Sequence, residues 1–173
     1  KNRSAVQYHF GDKSGILAAI RLKHLPLIEA RRIQMLDTLE ASPQTTLRDF
    51  VDALVSPLAQ ELLNPDGGAD YVRIAASLIG HREFSPLASE RRAQETAARL
   101  FSHIARNSHA LPNRSIGERM LVVAGMVFHG LADWVRLPAN QDSVDPAALN
   151  QFADDLTNCV VSVLATPAST ARD

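Results

Sequence analysis

One cysteine, Cys159, stands in 173 residues. That count excludes an internal disulfide and any Cys-rich zinc site, and it fits a reducing, cytoplasmic location. Net charge is nearly absent too: eighteen Lys and Arg oppose nineteen Asp and Glu, a formal −1. A uniformly basic nucleic-acid coat is therefore excluded, and any such function has to sit in a local patch. Long apolar runs are also missing. The densest stretch, Met120 to Phe128, is too short to span a bilayer and is followed at once by His129, Asp133 and Arg136. No signal peptide is visible, and no membrane partner is expected.

Catalytic signatures are as scarce. There is no Gly-x-Ser-x-Gly, Walker or dinucleotide glycine pattern, and Gly67-Gly68 follows a helix end rather than a strand, which makes it a turn. Six histidines invite a metal reading, but His-Glu-x-x-His is absent and His103 and His109, six apart, do not share a helical face. His129 and Asp133 stand at i, i+4, which suits an acid–base pair or a hydrogen-bonding pair in a pocket. Without a nucleophile or phosphate loop beside them, no enzyme activity, metal or cofactor is expected. Cys159 reads as a small buried hydrophobe.

What is present is helical periodicity. The length suits one domain, the 46% apolar content suits a packed core, and apolar residues recur at helical spacing in every segment longer than ten residues. The fold expected is all-α. Asp12 is placed to cap a helix from Lys13 to about Ala41, with stripes Ile16, Ile20, Leu27 and Leu17, His24, Ile28, Met35, Leu39, and with a kink at Pro26. Thr45 or Thr46 caps a helix striped by Leu47, Phe50, Val51, Leu54, Val55, Leu58 and Leu62. Tyr71 to Ile79 is apolar on nearly every side and reads as central. Ser85-Pro86 opens a helix to about Asn107. Ser115 and Glu118 fit a capping box for a largely apolar helix to Leu137, and Asp145-Pro146 caps a last helix striped by Leu149, Phe152, Ala153, Leu156, Val160, Val163 and Leu164.

Charge is unevenly spread along these helices. Residues 1–40 carry seven bases against four acids, a net of +3, whereas residues 138–173 carry five acids against Arg172, a net of −4. A polyanion-facing N-terminal end and a solvated helix face both account for this.

The N-terminal segment Arg3-Ser4-Ala5-Val6-Gln7-Tyr8-His9-Phe10-Gly11-Asp12-Lys13-Ser14-Gly15-Ile16-Leu17 closely resembles the end of the helix-turn-helix in TetR-family transcriptional regulators. The match covers about eighteen residues, to Ile20. It implies a short recognition helix, an aromatic-His-Phe turn and then a long helix. Lys1, Asn2, Arg3, Ser4 and Gln7 have the short polar or basic side chains that read base edges and phosphates. The resemblance puts Tyr8, His9 and Lys13 on the DNA backbone, with a helix-capping role open for His9, and Phe10 in the core. The two helices that precede the recognition helix in that family are not in these residues, so the chain reads as a fragment.

On this resemblance residues 1–24 complete a DNA-binding unit, 25–166 form a helical ligand-binding and dimerisation domain, and 167–173 are a flexible tail. A homodimer through 116–137 and 147–165 is expected, bound as a full-length protein to a palindromic double-stranded DNA operator and released by a small apolar effector. The effector's expected contacts are Phe50, Leu54, Leu78, Phe101, Ile104, Met126 and Trp134, with His81, His129 or Asp133 as polar anchors. Two rivals stay open: a ligand-carrying or catalytic bundle without DNA function, and a purely structural interaction module.

Overall fold

The computed structural model describes residues 13–79, 91–108, 113–140 and 143–168. Among them lie six α-helices, one 3-10 turn and no strand, so the chain is all-α. The expected short helix before Gly11, the Ser85-Pro86 start and the tail beyond Ala168 lie outside the described residues.

α1 (Lys13–Ala41) is the expected long helix, about 40 Å at 1.5 Å per residue, and it runs on through Pro26. No side chain from Ser14 to Lys23 is buried, and burial begins at His24. From there Leu25, Ile28 and Leu36 face the core, while Leu27 is 48% exposed. The stripe through Leu27 is therefore not the one used. Two residues on from Leu25, Leu27 points to the opposite side of the helix, as 100° per residue requires.

α2 (Leu47–Glu61) is the centre of the bundle, packing against α1 and three helices described below. Thr46 is its N-cap: the hydroxyl accepts from the Asp49 amide while Asp49 Oδ2 accepts from the Thr46 amide at 2.7 Å. Such a reciprocal cap contributes about 1 kcal/mol. Phe50, Val51, Ala53, Val55, Pro57, Leu58 and Ala59 are all buried, which leaves almost no solvent face. Pro57 thus sits inside a helix and inside the core.

α3 (Gly68–Leu78) follows a turn in which Gly67 takes the left-handed φ of +91°. Gly68 is sterically obligatory, since an added Cβ would stand 1.8 Å from the Glu61 carbonyl oxygen. The helix buries Tyr71, Val72, Ala75 and Ala76 but leaves Ile74 and Leu78 partly exposed. The central position expected for it belongs to α2.

α4 (Arg91–Asn107) turns Ala93, Thr96, Leu100 and Ile104 inward. α5 (Asn113–Trp134) is already helical at Ser115, so the capping box expected at Ser115 and Glu118 is not its start. One stripe of α5, Ile116, Val123, Val127 and Leu131, is buried. It ends three residues before Leu137, where the Asn140 side chain, on the 3-10 turn Pro138–Asn140, donates to the Trp134 carbonyl at 2.8 Å. α6 (Pro146–Ala165) starts as expected, Asp145 accepting from the Ala147 amide with proline in the first turn. α2 packs against α3, α4 and α6, and α5 packs against α3 and α6. Cys159 is exposed rather than buried, because it lies about 100° around α6 from the Leu156 to Val160 stripe.

Candidate functional site

Lys1, Asn2, Arg3, Ser4, Gln7, Tyr8 and His9 lie outside the described residues, as does His81. Lys13 is the first residue of α1. Phe50 and Ile104 are fully packed core residues, and Leu54 and Met126 are partly buried against the core. Leu78 is partly buried on α3. Phe101 is 40% exposed. Trp134 stacks on Phe152 at 5.5 Å, across the α5–α6 seam. The expected contacts are thus divided among core, seam and solvent. His129 and Asp133 are exposed and do not pair: the Asp133 carboxylate accepts from Arg136 at 2.7 Å, a full charge pair one turn on.

A different set of polar groups does converge, where α1, α2 and the turn before α3 meet. Glu61, at the end of α2, is wholly buried. Its Oε1 accepts from His24 Nδ1 at 2.8 Å and from the Asn64 amide at 2.7 Å, and its Oε2 accepts from Arg31 at 3.1 Å. His24 stacks on Tyr71, ring centroids 4.9 Å apart. Burial pushes the Tyr71 phenol up to about 12. Beside this node Arg32 pairs with Glu29 and donates to the Ala53 carbonyl. Burial lowers the Arg32 pKa, with Glu29 opposing. A buried carboxylate so surrounded is satisfied rather than reactive. What the node does is tie α1, through His24 and Arg31, to the end of α2 and the turn that follows it.

At the far end of α1, Glu40 accepts from His103 Nε2 at 2.8 Å and from Arg99 at 2.8 Å, and Arg99 also reaches Asp37 at 2.7 Å. The His103 ring stacks on Phe50 at 4.4 Å. Between the two ends, α1 and α2 leave an open groove of about 430 Å³. Arg31, Gln34, Met35, Thr38 and Leu39 line it from α1, and Asp49, Asp52 and Gln60 from α2.

The sequence gives one signal for the node: Glu61 falls at helical spacing from Pro57 and Leu58, a charge at a core position. Nothing in it marks the groove, which exists only because two distant faces meet. No protein-family model, curated protein or solved structure matches the chain.

Proposed function

We propose that the chain is the ligand-binding and dimerisation part of a TetR-like, DNA-binding transcriptional regulator, a repressor released by a small molecule. The observation that carries this is the form of α1. The Tyr8-His9-Phe10 segment, with its recognition-type side chains, precedes this helix in the sequence, and the turns from Ser14 to Lys23 hold no fully buried side chain, touching the bundle at its margin through Ile20 and Lys23. A long helix whose N-terminal turns are only lightly packed leaves surface there for another unit to dock against. Lys13 opens α1, where the positive end of a helix dipole favours a phosphate.

The outward face of α5 supports a homodimer. Leu121 is 76% exposed and Val122 55%, and a Cβ at Gly125 would meet nothing. Ser115–Trp134 is also long and apolar enough to cross a membrane by length and composition, with a mean hydropathy of 1.2. Its Ile116 to Leu131 stripe is spent on α3 and α6, so the remaining apolar surface is one face, which suits a second copy better than lipid all round.

The test is DNA binding by protein that carries the two preceding helices. It should bind a pseudo-palindromic duplex, and Lys13→Ala should weaken all sequences alike while reducing the log–log salt slope by about one. A change in base preference alone would remove Lys13 from the backbone contacts, and absence of DNA binding would overturn the reading.

A further inference from the structure

We propose that the groove between α1 and α2 is a binding site for an aliphatic diamine or polyamine, with an ammonium between Asp52 and Asp49 and the methylene chain along Met35 and Leu39. The shape comes first. About 430 Å³ falls within the range of small-molecule sites, and from Asp49 to Gln60 it extends about 16 Å along α2 at 1.5 Å per residue. An elongated ligand fits such a trough better than a compact one.

The charges then select the ligand's sign. Arg31 lines the groove, but it donates to Glu61, a carboxylate with no exposure of its own. An anionic ligand would have to take that arginine from a buried partner, which is costly. Asp52 is in the opposite condition. Half-buried, it makes no hydrogen bond or ion pair among the described residues. The cation acting on it, Arg48, is already held by Asp154 and Asn158. Asp49 uses Oδ2 in the Thr46 cap and keeps Oδ1. Asp49 and Asp52, three residues apart, are neighbours on one helical face. The trough therefore has spare negative charge and no mobile counter-charge. Burial raises the Asp52 carboxyl above its ordinary range, Arg48 opposing and Asp154 and Asp49 adding, which fits a group short of a partner.

The remaining walls select the ligand's body. Met35 and Leu39 pack partly against the core and present apolar surface suited to methylenes. Gln34 and Gln60 also line the groove, and a side-chain amide can offer its oxygen as acceptor to a second ammonium. With two carboxylates, one of them half-used in a cap, the donor set is too poor for a bare divalent ion, which takes six or more oxygens. The proposal does not rest on DNA binding and stands or falls on amine binding alone.

Titration calorimetry of the 173-residue chain with spermidine and with 1,4-diaminobutane tests it, butane-1,4-diol serving as the uncharged counterpart. One saturable site is expected for the amines and none for the diol. Asp52→Asn should weaken the amines about ten- to a hundredfold, the range for loss of a charge-assisted hydrogen bond. Gln34→Lys, at an exposed position, should abolish binding by placing the protein's own ammonium in the trough, and it keeps the test decisive if Asp52→Asn fails to fold. Asp155→Asn, on the exposed face of α6, should change nothing. Amine affinity unaltered in both groove variants, equal binding of the diol, or no saturation at millimolar amine would overturn the proposal. So would equal weakening by Asp155→Asn, which would mean diffuse surface charge.

Discussion

Arg32 supplies from α1 the hydrogen bond that Pro57 cannot supply within α2. Proline has no amide hydrogen, so the carbonyl four residues back, that of Ala53, loses its helical donor. Arg32 Nε donates to that oxygen at 3.2 Å, in a core where an unpaired carbonyl would cost about 1–3 kcal/mol. The break in the central helix thus becomes a joint to its neighbour, with Glu29 holding the guanidinium in place.

A double-mutant cycle measures this joint. Arg32→Met should destabilise the chain by about 3 kcal/mol, since it leaves both Ala53 O and the buried Glu29 carboxylate without that arginine. In the Pro57→Ala background an amide is restored at position 57. The loss from Arg32→Met should then shrink by about 1 kcal/mol in urea denaturation. Additive losses would show that the arginine does not stand in for the missing amide of Pro57.

Gly68 offers a sharper test of the α2–α3 turn. With a Cβ 1.8 Å from backbone oxygen, Gly68→Ala has no side-chain rotation by which to escape, and a loss of about 3 kcal/mol is expected. A thermal midpoint within a degree or two of wild type would mean that the turn rearranges freely.

The dimer prediction rests on α5. Leu121→Glu with Val122→Glu puts two charges on its outward face without touching the Ile116 to Leu131 stripe. Light scattering at micromolar concentration should return a dimer for wild type and a monomer of unchanged helicity for the variant. A wild-type monomer would remove this interface.

Two carboxylates give opposite pH signatures. Hydrogen bonds from Arg99 and then His103 hold Glu40 below its ordinary range. Between its folded and ordinary values the unfolded chain binds more protons, so this stabilisation is present at neutral pH and lost as pH falls through the folded value. Glu40→Gln should flatten the acid limb of the stability curve. Asp52, raised chiefly by burial, has the reverse sign: ionised at neutral pH it destabilises, and the penalty fades as pH falls. Asp52→Asn should raise the thermal midpoint at pH 7, with the gain vanishing in the carboxylate range.

Where a signal is local, the sequence carries it. Asp145-Pro146 reads as a helix start because a carboxylate cap and a first-turn proline need nothing from the rest of the fold, and Thr46 is one of two adjacent candidates for the same reason. The α6 stripe from Leu149 to Leu164 also holds, since one clean face has one way to be buried. Ser115 misleads because a capping pattern is equally compatible with a helix already under way. Tyr71 to Ile79 looks central by composition, yet which helix is central depends on how many others it touches, and α2 touches more. Phe101 and Cys159 are apolar by type but fall off their helices' inward stripes, and type is a weaker guide than phase. The groove needs Asp52 and Met35 to meet across a turn, and no reading of either helix alone contains it.

α1 behaves as a lever whose firm hold begins at His24. Its ten residues from Ser14 to Lys23 hold no fully buried side chain and are tied to the bundle through partial packing of Ile20 and the Lys23–Asp66 pair, an arm of about 15 Å at 1.5 Å per residue. Glu61, gripping His24 and Arg31 from below, is the fulcrum. Over that span a tilt of about 5° at His24 carries the N-terminal tip roughly 1.3 Å sideways, more than a tightly packed interior would tolerate within itself. A displacement too small to disturb the core therefore becomes a displacement large enough to misalign whatever the tip holds.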